Sequence, residues 1–139
     1  MAKRKSIVKP VEVPIEISQA EIISFARVNY PLFSFKYLTE HSIKNCRDGG
    51  FFLEFLLRLK KLSELGWQEI AKSGRHGFGM EKIPREIIKH DIPPQITPEV
   101  PLFAFRATGS NLPFVGFREG RIFHIIFVET VFGDIYDHE

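Results

Sequence analysis

A helical repeat of apolar residues follows the Asp-Gly-Gly break at residues 48–50. In the segment FFLEFLLRLKKLSEL, apolar positions fall on one side of a helix and charged positions on the other. The apolar positions are Phe52, Phe55, Leu56, Leu59 and Leu62, and the charged ones are Glu54, Arg58 and Lys61. Residues 66–72 are long enough for a second, short helix. The pattern therefore predicts two helices in tandem.

The apolar residues of the last third of the chain are grouped differently. Runs rich in aromatic and β-branched residues cover residues 102–107, 112–118 and 121–129, and turn residues separate them. Side chains of this kind favour the pleated, half-buried surface of a sheet. We expect three consecutive antiparallel strands, the last two joined in a hairpin. Upstream, residues 81–90 fit either a strand or a helical turn.

Strand patterns also precede the helices. Residues 22–28 and 32–38 are apolar runs on either side of the turn residues 29–31, which predicts a hairpin. Residues 18–27 fit a capped helix as well, and the pattern does not choose between the two. Residues 11–17 alternate apolar side chains around a proline, which is typical of an edge strand.

Together these elements predict an α+β fold. We expect an antiparallel sheet of about four to six strands, with the two tandem helices packed on one face. Residues 1–10 are predicted to form a basic flexible tail and residues 11–139 a single α+β domain. With 139 residues and 44% hydrophobic content, the chain can bury a core without disulfides or metals.

Targeting and membrane signals are missing from the pattern. No N-terminal apolar stretch resembles a signal peptide, and no run approaches the roughly 20 apolar residues that cross a bilayer. The single cysteine, Cys46, has no partner for an intramolecular disulfide and is interpreted as structural. We therefore expect a cytoplasmic protein without a membrane partner.

Charge is unevenly distributed although the net charge is only +2. The first ten residues are basic, whereas residues 91–139 carry three arginines against seven acidic residues. A dedicated nucleic-acid binder has a much more basic balance. The composition weakens a nucleic-acid function without excluding it.

Polar side chains embedded in the last third are the main candidates for chemistry. They are Arg106, Arg118, Arg121, His124, Tyr136 and His138. Arginines could hold a phosphate through a planar pair of donors, or form ordinary surface ion pairs with Glu119 or Glu129. Histidine titrates near neutral pH and suits acid-base chemistry, but His124 also fits a satisfied core or sheet-edge histidine.

A glycine-rich loop at residues 73–79 offers a second candidate site. It combines backbone amides with Arg75 and His76, and Lys82 follows it closely. Amides beside cations suit phosphate or RNA-backbone recognition, but glycines are equally typical of an ordinary solvated loop. Both interpretations stay open.

Metal and cofactor binding are not expected. The C-terminal residues Asp134, Tyr136, Asp137 and His138 include possible metal ligands. No second set of ligands stands at a diagnostic spacing, however, and the loop at residues 73–79 matches neither the Walker nor the dinucleotide motif.

The turn of the last hairpin decides which side chains become neighbours. If residues 119–120 form a two-residue turn, Val115 faces His124. If Gly120 instead takes the left-handed conformation in a three-residue loop, Phe114 faces His124.

This order of elements resembles the RelE/ParE superfamily of small bacterial toxins, over about residues 32–139. The strand LFAFR at residues 102–106 is similar to the family's arginine-bearing strand, and FVGFREGRIFHIIFV is similar to its two final strands. The late Ile135-Tyr136 is similar to its C-terminal tyrosine. The chain has Leu112-Pro113-Phe114 where these toxins usually carry an arginine.

The resemblance implies a metal-independent endoribonuclease that acts on mRNA in the ribosome. It implies that Arg106, Arg118 and Arg121 clamp the phosphate and that His124, Tyr136 or His138 serve as acid or base. Arg75, His76 and Lys82 would contact the RNA. The implied partners are mRNA with the ribosome and a cognate antitoxin protein, and a homodimer stays open.

A non-catalytic function is the alternative. A small antitoxin-like, immunity-like or phage-related module would recognise another protein through its sheet surface. This hypothesis predicts an exposed apolar patch and no clustering of titratable groups.

Overall fold

A computed structural model describes residues 29–74 and 77–138 of the chain. Several expectations lie outside the described residues: the tail at residues 1–10, the edge strand at residues 11–17, and the strand or helix between residues 18 and 28. Arg75 and His76 also lie outside them.

The described chain has an α+β fold, as the sequence predicts. Its elements in chain order are β1 (Leu32–Ser34), α1 (Glu40–Asn45), α2 (Gly49–Glu64), α3 (Trp67–Lys72), β2 (Glu81–Ile83), a 3₁₀ turn (Arg85–Ile87), β3 (Leu102–Arg106), β4 (Pro113–Glu119) and β5 (Ile122–Val128). The two tandem helices are confirmed as α2 and α3, and the three final strands as β3 to β5. Helix α1 was not predicted. Residues 81–90 contain both a strand and a helical turn.

Side-chain caps explain where the first two helices begin. The Thr39 hydroxyl accepts a hydrogen bond from the Ser42 amide at 3.3 Å and caps α1. The Asp48 carboxylate accepts from the Gly50 amide at 2.9 Å and caps α2. None of the helices in the described part of the chain is long and apolar enough to cross a bilayer.

In the described part of the chain, five strands form one sheet in the order β1-β5-β4-β3-β2. All pairs are antiparallel except β1 with β5, which is parallel and places Ser34 beside His124. The expected strand at residues 32–38 is therefore wrong beyond Ser34, because the backbone turns where the Leu38 amide donates to Phe35 O. The chain then enters α1 instead of continuing in the sheet.

The last hairpin has neither of the two expected registers. Glu119 pairs with Ile122, so the loop consists of Gly120 and Arg121, and His124 lies opposite Phe117. Gly120 takes φ +62° at the first loop position, a conformation that is easy only for glycine. The turn is therefore a two-residue turn, one residue later than the expected turn at residues 119–120.

A register shift between Val115 and Gly116 bends the same hairpin. At this bulge the backbones approach so closely that a Cβ on Gly116 would lie 1.9 Å from the His124 carbonyl oxygen. Only glycine fits there.

Both faces of the sheet are covered. On one face, helix residues such as Phe55, Leu62 and Trp67 pack against Phe114 and Phe123 in an aromatic core. The other face is covered by a second apolar cluster, to which the connector before β3 contributes Ile96 and the segment after β5 contributes Ile135 and Tyr136. The C-terminal segment is thus held against the sheet on the side opposite the helices.

Candidate functional site

An open cleft lies where β2 and β3 meet the C-terminal segment. Its volume is about 440 Å³. Its polar lining consists of Lys82 and Arg106, the carboxylates Glu81 and Asp137, and the side chains of Asn111, Tyr136 and His138. We call this feature the C-terminal cleft. It brings together four residues that the sequence marked as candidates, namely Lys82, Arg106, Tyr136 and His138.

A buried carboxylate fixes His138 in this cleft. His138 Nε2 lies 2.6 Å from Glu129 Oε1, and the other oxygen of Glu129 accepts the Ile135 amide at 2.8 Å. The Glu129 side chain is 0% exposed. An ionised carboxylate can only accept, so an ionised Glu129 requires the proton on Nε2 and leaves Nδ1 as the nitrogen that can accept one.

Aromatic rings hold the imidazole from both sides. The His138 ring stacks on Phe132 with centroids 4.4 Å apart and lies 4.6 Å from the Tyr136 ring. Tyr136 is itself buried in the cluster that covers this face of the sheet. The side chains of Tyr136 and His138 are therefore neighbours with restricted orientations, as acid-base groups require.

Arg106, at the end of β3, places a positive charge at the cleft. Arg106 Nη1 donates to Ser110 O at 2.9 Å, which holds the guanidinium beside the loop after β3. Arg58 on α2 donates to Arg106 O at 3.4 Å and to Gly77 O at 3.0 Å, and its guanidinium lies 4.4 Å from the Phe78 ring. Burial lowers the pKa of Arg58, and the neighbouring charge of Arg106 lowers it further. Two arginines are thus concentrated around the end of β3.

The glycine loop uses its amides internally. Gly77 and Gly79 both donate to Gly74 O, at 2.9 and 3.1 Å, and Phe78 donates to the Ser73 hydroxyl at 2.9 Å. These three amides close a turn and do not point to a ligand. Of the two interpretations of this loop, its described part favours the ordinary turn.

The other candidates lie away from the C-terminal cleft. His124 is in a separate aromatic site, stacked on Phe117 at 4.8 Å and in edge contact with Tyr37 at 5.2 Å. Its Nε2 lies 2.8 Å from Glu119 Oε1, and its buried Nδ1 has no hydrogen-bond partner among the described residues. With one nitrogen paired and the other buried, His124 fits a sheet histidine that is only partly satisfied, and it does not line the C-terminal cleft.

Arg118 and Arg121 belong to the hairpin tip. The Arg118 guanidinium lies 4.1 Å from the Trp67 ring and donates to Gly120 O at 2.7 Å. The backbone carbonyl oxygen of Arg121 accepts from the Leu32 amide at 2.9 Å and from Trp67 Nε1 at 3.2 Å. The structure thus divides the six expected catalytic residues: Arg106, Tyr136 and His138 converge, and Arg118, Arg121 and His124 do not join them.

A third polar cluster joins Asp134, one of the possible metal ligands in the sequence, to two histidines that were not singled out. His41, His90 and Asp134 each offer one ligand atom, and these atoms lie within 4.8 Å of one another. His41 Nε2 is 2.8 Å from Asp134 Oδ2, and His90 Nε2 is 3.3 Å from Asp134 Oδ1. Two imidazoles and a carboxylate are a donor set that can hold a divalent transition metal.

An apolar groove lies on the helical side of the molecule. It has a volume of about 380 Å³, and its lining is almost entirely apolar. Phe35, Ile43, Phe52, Leu53 and Leu56 line it and are exposed. Of the five apolar positions that the sequence places on one side of this helix, only Phe55, Leu59 and Leu62 are fully buried.

The important residues that the sequence did not single out are Glu129, Arg58, His41 and His90. Glu129 was named only as a surface ion-pair partner for an arginine, which its complete burial and its contact with His138 contradict, and Arg58 was assigned to the polar face of its helix. His41 and His90 carry no spacing signal, because their shared partner Asp134 is 93 and 44 residues away. No protein-family model, curated protein or solved structure matches this chain.

Proposed function

We propose that the C-terminal cleft binds RNA and cleaves a phosphodiester bond without a metal ion. The observation that carries this proposal is the convergence of Lys82 and Arg106 with Tyr136 and a carboxylate-bound His138 in one cleft. Such a reaction needs at least cationic side chains that bind the phosphate and two side chains that transfer protons.

His138 is the proposed general base. Its Nδ1 takes the proton of the 2′-hydroxyl, and the 2′-oxygen forms a bond to the adjacent phosphorus. The bond from phosphorus to the 5′-oxygen breaks, and the Tyr136 hydroxyl gives this leaving oxygen a proton. The products are a 2′,3′-cyclic phosphate and a 5′-hydroxyl, so atoms and charges balance without a co-reactant.

Glu129 is the positioning residue of this scheme. By accepting from Nε2, it sets the tautomer of His138 and stabilises the imidazolium that forms when Nδ1 takes a proton. Its second oxygen is anchored to the backbone of the same segment at Ile135. The pair is therefore anchored to the C-terminal segment.

Arg106 and Lys82 are the proposed phosphate contacts, and Arg58 adds positive charge behind Arg106. An arginine matches the two non-bridging oxygens of a phosphate as they gain charge in the transition state. The lining carboxylate Asp137 is paired with Lys89 at 2.6 Å, which reduces its repulsion of an anionic substrate.

The resemblance to RelE-like toxins supports mRNA on the ribosome as the substrate. It also supports a cognate antitoxin as partner and the bacterial cytoplasm as the place of action. A protein of this kind would arrest growth when it is expressed alone.

Regulated expression in a bacterial host tests this function. We expect the wild-type chain to stop growth and to shorten translated mRNA, and His138→Gln and Tyr136→Phe to lose both effects by about 10²-fold or more. Arg118→Gln is the matched control outside the cleft and should stay toxic. Normal growth with intact mRNA at high levels of wild-type protein would contradict the proposal.

The apolar groove favours a second candidate function. A non-catalytic module would use the exposed face of α2 around Leu53 and Leu56 to bind an apolar helix of another protein. Harmless expression together with a partner that is lost in Leu56→Lys would support this alternative.

A further inference from the structure

We propose that His41, His90 and Asp134 form a binding site for a divalent transition-metal ion, with Zn²⁺ as its probe. This site is separate from the C-terminal cleft, and its existence does not depend on RNA cleavage. The ligand atoms already lie within 4.8 Å of one another. All three side chains are partly exposed, at 37%, 30% and 22%, so an ion can reach them.

A limited side-chain rearrangement brings the cluster to the spacing of a tetrahedral zinc site. Ligands about 2.0–2.1 Å from zinc stand roughly 3.3–3.4 Å apart. His90 Nε2 lies 3.3 Å from Asp134 Oδ1, and His41 Nε2 lies 2.8 Å from the other carboxylate oxygen, Oδ2. Because the three ligand atoms lie within 4.8 Å of one another, side-chain rotation has to close the widest separation by at most about 1.4 Å for one ion to contact all three.

The two hydrogen-bond neighbours of His41 Nε2 require opposite protonation states of this nitrogen, and a bound cation would remove the conflict. Its Nε2 faces the Asn45 amide nitrogen at 3.0 Å and the Asp134 carboxylate at 2.8 Å. The amide nitrogen is a donor and requires a lone pair on Nε2, whereas the carboxylate is an acceptor and requires a proton there. A metal ion would bind the lone pairs of Nε2 and the carboxylate together and would leave the Asn45 amide free to turn.

The two imidazoles are arranged side by side. Their ring centroids are 4.0 Å apart, with an angle of 30° between the planes. Their Nε2 atoms both face Asp134, so the rings present two nitrogens to the same carboxylate. Three protein ligands of this type leave at least one coordination position for water or another ligand.

Three separate chain segments supply the ligands, and each is anchored to the fold. Helix α1 is tied to β5 by the Ser42 hydroxyl, which accepts the Val128 amide at 2.9 Å. The connector that carries His90 is tied to the C-terminal segment by the Lys89 amide, which donates to Ile135 O at 2.8 Å. The site is therefore largely formed before the ion arrives, which reduces the entropic cost of binding.

Metal binding has a structural consequence for the molecule. Asp134 lies in the segment after β5, whereas His41 and His90 lie in segments that precede it by 93 and 44 residues. An ion shared by the three would lock this segment onto α1 and the connector. Because an ion that binds only the folded chain stabilises it, Zn²⁺ is expected to raise the melting temperature.

Titration of the full chain with Zn²⁺ after treatment with a chelator tests the site. We expect one ion per chain, and binding at least about 100-fold weaker in His41→Gln, His90→Gln and Asp134→Asn, since even an outer-shell partner can be worth that much. Asp137→Asn, a carboxylate change three residues away on the same segment, is the control and should bind like the wild type.

Co²⁺ provides a second readout that does not depend on stability. The wild-type complex should show the visible bands of a low-symmetry Co²⁺ site, and the three ligand variants should lose them while circular dichroism reports an unchanged fold. Absence of Zn²⁺ binding by the wild type would overturn the proposal. Equal binding by the ligand variants, or an equal loss in Asp137→Asn, would overturn it as well.

Discussion

The carboxylate of Glu129 binds the imidazole of His138 at 2.6 Å, and its side chain is completely buried. A charge in such a place is stabilised only by its hydrogen-bond partners. If the pair works as proposed, Glu129→Gln should lower kcat by about 10²-fold or more and change KM little, because the carboxamide no longer fixes the His138 tautomer. The loss of charge should also cost about 1–3 kcal/mol of unfolding free energy.

A double-mutant cycle separates the two effects. If Glu129 acts through His138, the double variant with His138→Gln should be no less active than His138→Gln alone. Glu64→Gln, on the exposed face of α2, is the control and should leave the activity unchanged. Additive losses in the double variant would mean that Glu129 contributes to activity independently of His138.

Gly116 should tolerate no side chain. Its substitution by alanine places a Cβ 1.9 Å from the His124 carbonyl oxygen, a backbone atom that cannot rotate away. We expect a cost at or above the roughly 1–3 kcal/mol of overpacking, measured by urea unfolding. Gly109→Ala, where nothing lies within 4 Å of the added atom, should stay within about 0.5 kcal/mol of the wild type. Similar stabilities for the two variants would show that the bulge is not formed.

Truncation of two leucines of α2 should change the free energy of unfolding by very different amounts. Leu59 is 8% exposed and packs in the aromatic core, so Leu59→Ala should cost about 2–5 kcal/mol. Leu56 is 66% exposed in the groove, and Leu56→Ala should change stability by less than about 0.5 kcal/mol. Thermal unfolding of the two variants measures the difference. A large loss in Leu56→Ala would mean that this face is covered in solution.

Cys46 should react slowly with alkylating reagents. Partial burial raises the pKa of its thiol, so the neutral form is favoured in the folded chain. The contribution of this thiol to the free energy of unfolding is fully present below its pKa in the unfolded chain, about 8.5. It is lost as the pH rises through the higher pKa of the folded chain. The alkylation rate against pH should therefore inflect above the value for the denatured chain. An inflection at or below that value would contradict the burial of the thiol.

Sequence patterns predicted the elements that have a clear hydrophobic repeat or apolar run of their own. Helix α2 follows from a 3.6-residue repeat, and strands β3 to β5 follow from aromatic and branched runs between turns. Helix α1 and the parallel pairing of β1 were missed, because residues 32–45 have no sustained apolar repeat and the strand is only three residues long. The hairpin register was missed because Gly120, although left-handed, takes the first position of the loop and not the last.

The sequence identified residues of the candidate sites by type but did not show which of them lie together. Arg106, Tyr136 and His138 were identified by residue type, but their convergence depends on where the C-terminal segment crosses the sheet. The same segment carries Asp134 to His41, 93 residues earlier in the chain. Contacts of this range arise from tertiary packing, which no spacing along the sequence records.

The cleavage rate of mRNA in a reconstituted translation reaction tests the proposed function most directly. Comparison of the wild type with Arg106→Gln and Arg118→Gln uses two arginines of the same sheet, of which only the first lines the C-terminal cleft. We predict products with 2′,3′-cyclic phosphate and 5′-hydroxyl ends, a rate about 10²-fold or more lower in Arg106→Gln, and a rate close to wild type in Arg118→Gln. Uncut mRNA with the wild type, or equal rates for the two variants, would contradict a catalytic C-terminal cleft.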